Sequence, residues 1–161
     1  MYKKLLLLLA CFALWGCGQT HNFVIQEQTV RDLNTGLVWA KNANMPGKPL
    51  PWKADDNVYA FIERLNKEGF GNYYDWRVPT REELEQMVSY ATSMGFDKKD
   101  IRTWPYQRLR DLGFLDVHDY DYWTASRANA SKFWIVNLGN GNFAVLDENA
   151  SYMLWPVRGR Q

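Results

Sequence analysis

Cysteine is nearly absent from the chain, and its placement restricts the chemistry of any folded domain. The 161 residues contain two cysteines, Cys11 and Cys17, both close to the N-terminus. A domain formed by later residues therefore has no disulfide, no catalytic thiol and no cysteine-ligated metal. Its stability must come from a hydrophobic core, which the 22 Trp, Tyr and Phe residues after Cys17 are well suited to build.

Long apolar runs and an excess of one charge are also missing after Cys17. No later stretch approaches the roughly 18 consecutive apolar residues of a transmembrane helix. The whole chain has 19 Lys and Arg residues against 18 Asp and Glu. Removal of an N-terminal segment that ends before Cys17 would take away Lys3 and Lys4 and leave 17 basic residues. A mature net charge of about minus one gives no support to general nucleic-acid binding.

The first residues have the layout of a bacterial export signal. Lys3 and Lys4 precede an apolar run that is too short for a comfortable membrane span. Leu14-Trp15-Gly16-Cys17 then resembles the lipobox of bacterial lipoproteins, in which the cysteine carries the lipid. The resemblance implies a signal peptide over residues 1–16, a lipid-anchored tether over 17–22 with the lipid on Cys17, and one domain over 23–161.

Two details of this motif bear on location. Trp15 stands where a lipobox usually has a small residue, so an ordinary signal peptide or an uncleaved anchor is the alternative. Gly18 follows the cysteine where inner-membrane lipoproteins of many Gram-negative bacteria carry aspartate. We therefore expect a lipid-anchored protein of the bacterial cell envelope. The outer membrane is favoured, and the periplasmic or surface face is left open.

Strand patterns stand at both ends of the domain. Near its start the predicted strands are Phe23–Ile25, Thr29–Val30 and Leu37–Ala40, with a turn at Asn34-Thr35-Gly36. Near its end they are Tyr122–Ala125, Phe133–Leu138, Phe143–Leu146 and Tyr152–Val157, with a hairpin turn at 139–142.

Helical spacing predicts two amphipathic helices between these strands. The apolar face of the first carries Trp52, Val58, Phe61, Ile62 and Leu65, with Gly69 just beyond its end. The second begins at the capping box Thr80-Arg81-Glu82-Glu83, continues through Leu84, Met87, Val88 and Ala91, and stops at Gly95. Residues 96–121, here called the insertion, are predicted to form a long and partly helical segment. This order of strands and helices predicts an α+β domain with two main helices packed on mostly antiparallel strands.

Several segments together resemble one bacterial family, the Lcl C-terminal domain. They are residues 29–43, residues 75–84 with Asp75-Trp76-Arg77-Val78-Pro79-Thr80, the run Tyr122-Trp123-Thr124-Ala125-Ser126, and the closing Val157-Arg158-Gly159. The resemblance implies a fold related to C-type lectin-like domains and to formylglycine-generating enzymes. It also implies membership of a group proposed to bind glycans at cell surfaces, without an agreed activity.

The segment from Asp75 to Glu83, here called the corner, carries the densest polar chemistry. A carboxylate, an indole and a guanidinium precede a helix start whose free amides favour anions, so a binding site is one interpretation. We prefer a structural interpretation, with Trp76 in the core, Arg77 bonded internally and Pro79 setting the entry to Thr80. Arg158 is expected to pair with a carboxylate near Asp75 or Glu83. We also assign Trp39, Trp52, Trp123 and Trp155 to the core.

The insertion is the predicted source of ligand specificity, because long loops on a rigid scaffold often carry binding residues. Its candidate ligand-binding residues combine cations with flat aromatic rings, a combination that suits acidic sugars; they are Lys98, Lys99, Arg102, Trp104, Tyr106 and Arg108. The alternative is a solvated helical face whose charge Asp97, Asp100 and Asp111 partly neutralise.

No cofactor is predicted, although the acidic segment keeps a weak calcium alternative. Asp116, His118, Asp119 and Asp121 offer oxygen ligands, but their spacing matches no EF-hand loop, and a solvated turn is preferred. No metal site is therefore assigned.

Catalysis is not predicted. The mature chain lacks the cysteine of formylglycine-generating enzymes and any Gly-x-Ser-x-Gly motif. A glycosidase needs only two suitably separated carboxylates, so an enzyme acting on carbohydrate is the third hypothesis. The leading hypothesis is a non-catalytic recognition module that binds a glycan or a protein. The second is a structural envelope lipoprotein that acts through a protein partner. The oligomeric state is not predicted.

Overall fold

The computed structural model describes residues 22–159. The predicted signal peptide, the lipidation at Cys17 and most of the predicted tether lie outside the described residues. Nine β-strands and three α-helices follow one another within this range. They are β1 Phe23–Ile25, β2 Thr29–Asp32, β3 Val38–Ala40, β4 Leu50–Pro51, α1 Val58–Glu68, α2 Arg81–Ser93, α3 Pro105–Asp111, β5 Asp121–Arg127, β6 Lys132–Asn137, β7 Phe143–Asp147, β8 Ser151–Tyr152 and β9 Val157–Arg158.

The strands form three antiparallel sheets. The first has the order β1-β2-β3-β9, so the last strand of the domain closes onto the opening strands. The second joins β4 to β8, and the third is the meander β5-β6-β7. Trp39 lies opposite both Val30 and Val157, which fixes the register that turns these apolar side chains toward the core.

The two predicted helices are present, with a third, shorter helix inside the insertion. Asn57 caps α1 by accepting a bond from the Ala60 amide at 2.9 Å, and Gly69 ends the helix at a φ of 67°. Thr80 begins α2 with the complete capping box. Pro105 opens α3, where a missing amide hydrogen costs no helical bond.

Aromatic side chains from distant segments fill one continuous core. The Trp39 and Trp155 rings lie 4.9 Å apart, and Phe114 meets Trp155 edge to face at 5.0 Å. Trp52 packs on Phe133 at 3.8 Å and on Trp123 at 5.1 Å. All four tryptophans that the sequence assigns to the core are buried. Together with Trp76 they supply the apolar area that replaces covalent cross-links.

Two predicted element boundaries are wrong. Trp52 lies in the loop before α1, because Pro51 and the polar Lys53–Asp56 segment separate it from the helix cap at Asn57. The predicted strand 152–157 is two strands in different sheets, β8 and β9. Pro156 between them has no amide hydrogen to offer a strand ladder, and the chain crosses from one sheet to the other there.

Within residues 22–159, no helix combines the length and the apolar character that crossing a bilayer requires.

Candidate functional site

The Thr80 end of the corner is a helix cap closed by reciprocal hydrogen bonds between Thr80 and Glu83. Thr80 Oγ1 accepts a bond from the Glu83 amide at 3.2 Å, and the Thr80 amide donates to Glu83 Oε2 at 2.7 Å. The Pro79 carbonyl accepts from the Ala125 amide at 2.7 Å, which ties the entry of α2 to β5. The Thr80 and Glu83 amides at the start of α2 thus bond to the protein itself, which leaves fewer amides for an external anion.

Arg77 serves the same helix start. Its Nη1 and Nη2 donate to the two oxygens of Glu83 at 2.8 and 2.6 Å, and Nη2 also reaches the Gly159 carbonyl at 3.3 Å. The two side chains are 20% and 10% exposed. This bidentate salt bridge is mostly buried. Loss of either partner would therefore leave an unpaired charge that is costly to keep away from water.

Asp75 and Arg158 form the outer ion pair of the corner. Arg158 Nε and Nη2 donate to Asp75 Oδ1 and Oδ2 at 2.6 and 2.9 Å, and the guanidinium stacks over the Tyr73 ring at 4.1 Å. The Arg158 bond holds the pKa of Asp75 below its ordinary value. Of the two carboxylates expected for Arg158, the structure pairs it with Asp75, while Glu83 forms its salt bridge with Arg77.

Trp76 anchors the corner in the core and is 2% exposed. Its indole Nε1 donates to the Phe70 carbonyl at 2.9 Å. Its backbone amide and carbonyl bond the Asn66 side chain at 2.6 and 3.0 Å. Trp123 is held in a similar way, through a 2.7 Å bond from its Nε1 to the Leu50 carbonyl. The corner, in which both Asp75 and Glu83 have an arginine partner, has the structure of a scaffold.

The basic residues of the insertion differ in how free they are. Arg102 is bound to Asp100 by Nε at 2.9 Å and by Nη2 at 2.7 Å, and this bond lowers the pKa of Asp100. Arg108 lies 3.8 Å from Asp111 and donates to the Gly95 carbonyl at 3.5 Å. Lys98 and Lys99 are exposed, and no ion pair within residues 22–159 involves them.

The two aromatic residues proposed with these cations are half-buried. Tyr106 packs against the core, and its backbone amide donates to the Leu138 carbonyl at 2.9 Å. Trp104 precedes α3 as its cap residue, and its buried Nε1 has no hydrogen-bond partner in the described range. The Tyr106 side chain helps to dock α3 on the core, and the most exposed cations among the proposed ligand-binding residues are Arg102, Lys98 and Lys99.

The acidic segment does not converge on a cation position. Asp116 Oδ2 accepts from Asn42 at 2.6 Å, and Asp121 Oδ1 accepts from Asn137 at 2.8 Å. The His118 ring stacks on Tyr120 instead. Over residues 22–159 there is no group of three or more His, Cys, Asp or Glu side chains placed to hold a metal ion. The structure therefore gives the calcium alternative no carboxylate cluster.

Sequence reasoning missed a surface cleft of about 280 Å³. It lies where the β1–β2 turn, the segment after β3, the end of α1 and the end of the α3 loop meet. The residues lining this cleft are Glu27, Gln28, Lys41, Asn42, Met45, Phe70 and Leu115. They come from four distant stretches of chain, so no local pattern reveals the cleft. The only signal is the pair Lys41-Asn42 directly after a buried strand.

The far wall of the cleft is fixed by backbone bonds between two loops. The Leu115 amide donates to the Lys41 carbonyl and the Leu115 carbonyl accepts from the Ala43 amide, both at 2.8 Å. Next to it Asp116 adopts a φ of 49°, which L side chains rarely take, and Asn42 holds its carboxylate. Asn42 Oδ1 accepts from the Asn44 amide at 2.7 Å, so Asn42 is engaged at both ends.

Other polar groups of the cleft are left available to a ligand. Gln28 Oε1 accepts from the Gly71 amide at 3.1 Å, which orients the side chain and leaves its amide nitrogen to donate. No ion pair among residues 22–159 involves Lys41 or Glu27. A carboxylate, an ammonium and an amide donor thus stand beside Met45, Phe70 and Leu115.

The fold defines the class as an α+β domain with three helices and antiparallel sheets. In a comparison with known protein families, residues 28–158 match the Lcl C-terminal domain. The chain therefore belongs to the Lcl C-terminal domain family, as the sequence motifs predict. A search among curated proteins finds no match.

Proposed function

We propose that this chain is an exported, non-catalytic recognition module, anchored in the cell envelope through a lipid on Cys17, that binds a glycan through the cleft. The proposal keeps the expected relation of the fold to C-type lectin-like domains, and it favours the outer membrane. The lipobox-like sequence supports the anchor. The observation that carries the binding role is the cleft, with its available polar groups on a rigid wall.

The chemistry of the cleft suits a sugar ring. Sugar hydroxyls both donate and accept hydrogen bonds, so the Glu27 carboxylate, the Lys41 ammonium and the Gln28 amide can each serve one. The apolar face of a sugar ring can rest on Phe70 and Leu115, because small-ligand sites combine apolar walls with a few convergent polar groups. The cleft volume of about 280 Å³ fits one or two such rings better than a long chain.

Two features favour recognition over catalysis. No cysteine follows Cys17, and His118, the single histidine of the described range, stacks on Tyr120 and stands outside the cleft lining. Glu27 is the one carboxylate in that lining, whereas glycoside hydrolysis requires a pair.

The test is glycan-array binding by the full chain in detergent micelles, with and without calcium and at two salt concentrations. We expect selective binding that Gln28→Ala and Glu27→Gln each weaken several-fold, because each removes one hydrogen-bonding group from the cleft. The matched pair Lys41→Ala and Lys98→Ala removes the same side chain from the cleft and from the insertion. Glycan binding that is lost with Lys41→Ala and kept with Lys98→Ala would support the cleft as the binding site.

Other outcomes contradict the proposal in distinct ways. Binding that weakens steeply with salt and needs Lys98 and Lys99 would move the site to the insertion and the ligand to acidic glycans. A blank array from a folded sample would favour the structural lipoprotein with a protein partner. Turnover of a glycan would establish an enzyme.

A separate measurement tests the anchor. We expect Cys17→Ser to release the protein from membranes into the soluble fraction, because two or more acyl chains hold a protein on a bilayer durably. A Cys17→Ser protein that still sediments with membranes would mean that another element anchors the chain.

A further inference from the structure

The outer face of the β1–β2 hairpin exposes apolar side chains. Val24 is 41% exposed and Leu33 is 54% exposed. Strand alternation separates the two faces of β2: Val30 and Asp32 are buried, while Arg31 between them is exposed.

These side chains form one contiguous surface. Val24 lies directly opposite Arg31 in the strand register. The Leu33 amide donates to the Asn22 carbonyl at 2.9 Å, which extends the hairpin by one pair. Asn22, Val24, Arg31 and Leu33 therefore share one side of the hairpin, here called the hairpin face.

The position of the hairpin face in the chain indicates what covers it. Asn22 is part of this face and lies five residues after Cys17. Residues 18–22 join it to Cys17, and five residues span at most about 18 Å when fully extended. A lipid on Cys17 thus holds the hairpin face within that distance of the bilayer surface. A protein partner would have to enter the same narrow space.

We propose that the hairpin face rests on the membrane surface and fixes the orientation of the domain. Val24 and Leu33 enter the boundary between head groups and acyl chains, where apolar side chains leave water. Arg31 stands between them and meets anionic head groups. The inference rests on the proposed anchor at Cys17 and goes beyond it, because a lipid anchor by itself does not decide which face of the domain meets the membrane.

The test uses the absence of cysteine after Cys17. Val24→Cys and Leu33→Cys, each in the full chain with Cys11→Ala, accept a single environment-sensitive fluorophore, because the proposed lipid occupies Cys17. The control is Tyr120→Cys, since Tyr120 is 57% exposed and lies outside the hairpin. The labelled chains are placed in vesicles of phosphatidylethanolamine and phosphatidylglycerol. Emission and quenching by aqueous iodide are then measured.

We expect the labels at positions 24 and 33 to emit at shorter wavelength and to be quenched several-fold more slowly than the label at 120. Quenching as fast as at position 120, in protein that sediments with the vesicles, would overturn the inference and leave the anchor standing. Protein that does not sediment would overturn both. Protection that persists in detergent and grows with protein concentration would assign the face to a second copy instead.

Discussion

The corner and the cleft are built from similar side chains that are used in opposite ways. In the corner, Arg77 and Glu83 bond each other and the ends of nearby segments. In the cleft, Lys41 and Glu27 have no ionic partner in the described range, and Gln28 keeps a donor free. A dense polar motif in a sequence therefore indicates a scaffold as readily as a site, and available groups are the better guide to binding.

Substitution of Trp76 is the most severe way to break the corner. We expect Trp76→Ala to lower the free energy of unfolding by about 3 to 5 kcal/mol, because it removes a buried indole and leaves a cavity. Denaturant unfolding measures this loss. Tyr74→Ala, at a side chain that is 71% exposed, is the control and is expected to change little. An unchanged cooperative melt for Trp76→Ala would contradict its role as anchor.

The Arg77–Glu83 pair comes next. Arg77→Met leaves Glu83 with an unpaired charge in a position that is 10% exposed. We expect a loss of about 2 to 4 kcal/mol, toward the lower end for buried pairs because Arg77 keeps some contact with water. In a double-mutant cycle, adding Glu83→Gln should restore part of the loss. Strictly additive losses would mean that the pair is not coupled.

The helix cap sharpens the comparison within the corner. Thr80→Ala removes the hydroxyl that accepts from the Glu83 amide and keeps the return bond from the Thr80 amide to Glu83. We expect a loss of about 1 kcal/mol, typical for a single cap. Thr80→Ser keeps the hydroxyl and serves as the control. Equal losses for the two variants would show that the methyl group matters instead.

The Asp75–Arg158 pair has the smallest expected effect and depends on pH. The Arg158 bond lowers the pKa of folded Asp75 below the ordinary value of 3.8. Its contribution is therefore full above that value and disappears as the pH falls through the folded pKa. Because Asp75 is 55% exposed, we expect at most about 1 kcal/mol. The stability difference between the protein and Asp75→Asn should vanish in acid, and a difference independent of pH would contradict this ion pair.

The cleft is expected to respond in the reverse manner. Gln28→Ala and Lys41→Ala should leave the free energy of unfolding within about 0.5 kcal/mol, as is usual for surface substitutions. Their effect should appear in ligand binding. If either variant unfolds the domain, the cleft is as structural as the corner and the comparison fails.

Local sequence determined the features that depend on neighbouring residues. The capping box of α2, the Gly69 stop of α1 and the 139–142 hairpin turn all involve groups a few residues apart. Burial of Trp39 and Trp155 also follows from apolar patterns. These features are predictable because backbone geometry and side-chain periodicity fix them over short stretches.

The tertiary structure alone decided where distant segments meet. It selected Asp75 over Glu83 as the partner of Arg158, divided the predicted last strand between two sheets, and brought Gln28, Lys41 and Leu115 to one cleft. These long-range contacts depend on how the whole core packs, and no local pattern in a single sequence predicts them. Short sequence motifs therefore predict the scaffold, whereas the candidate binding surface forms only when the core has packed.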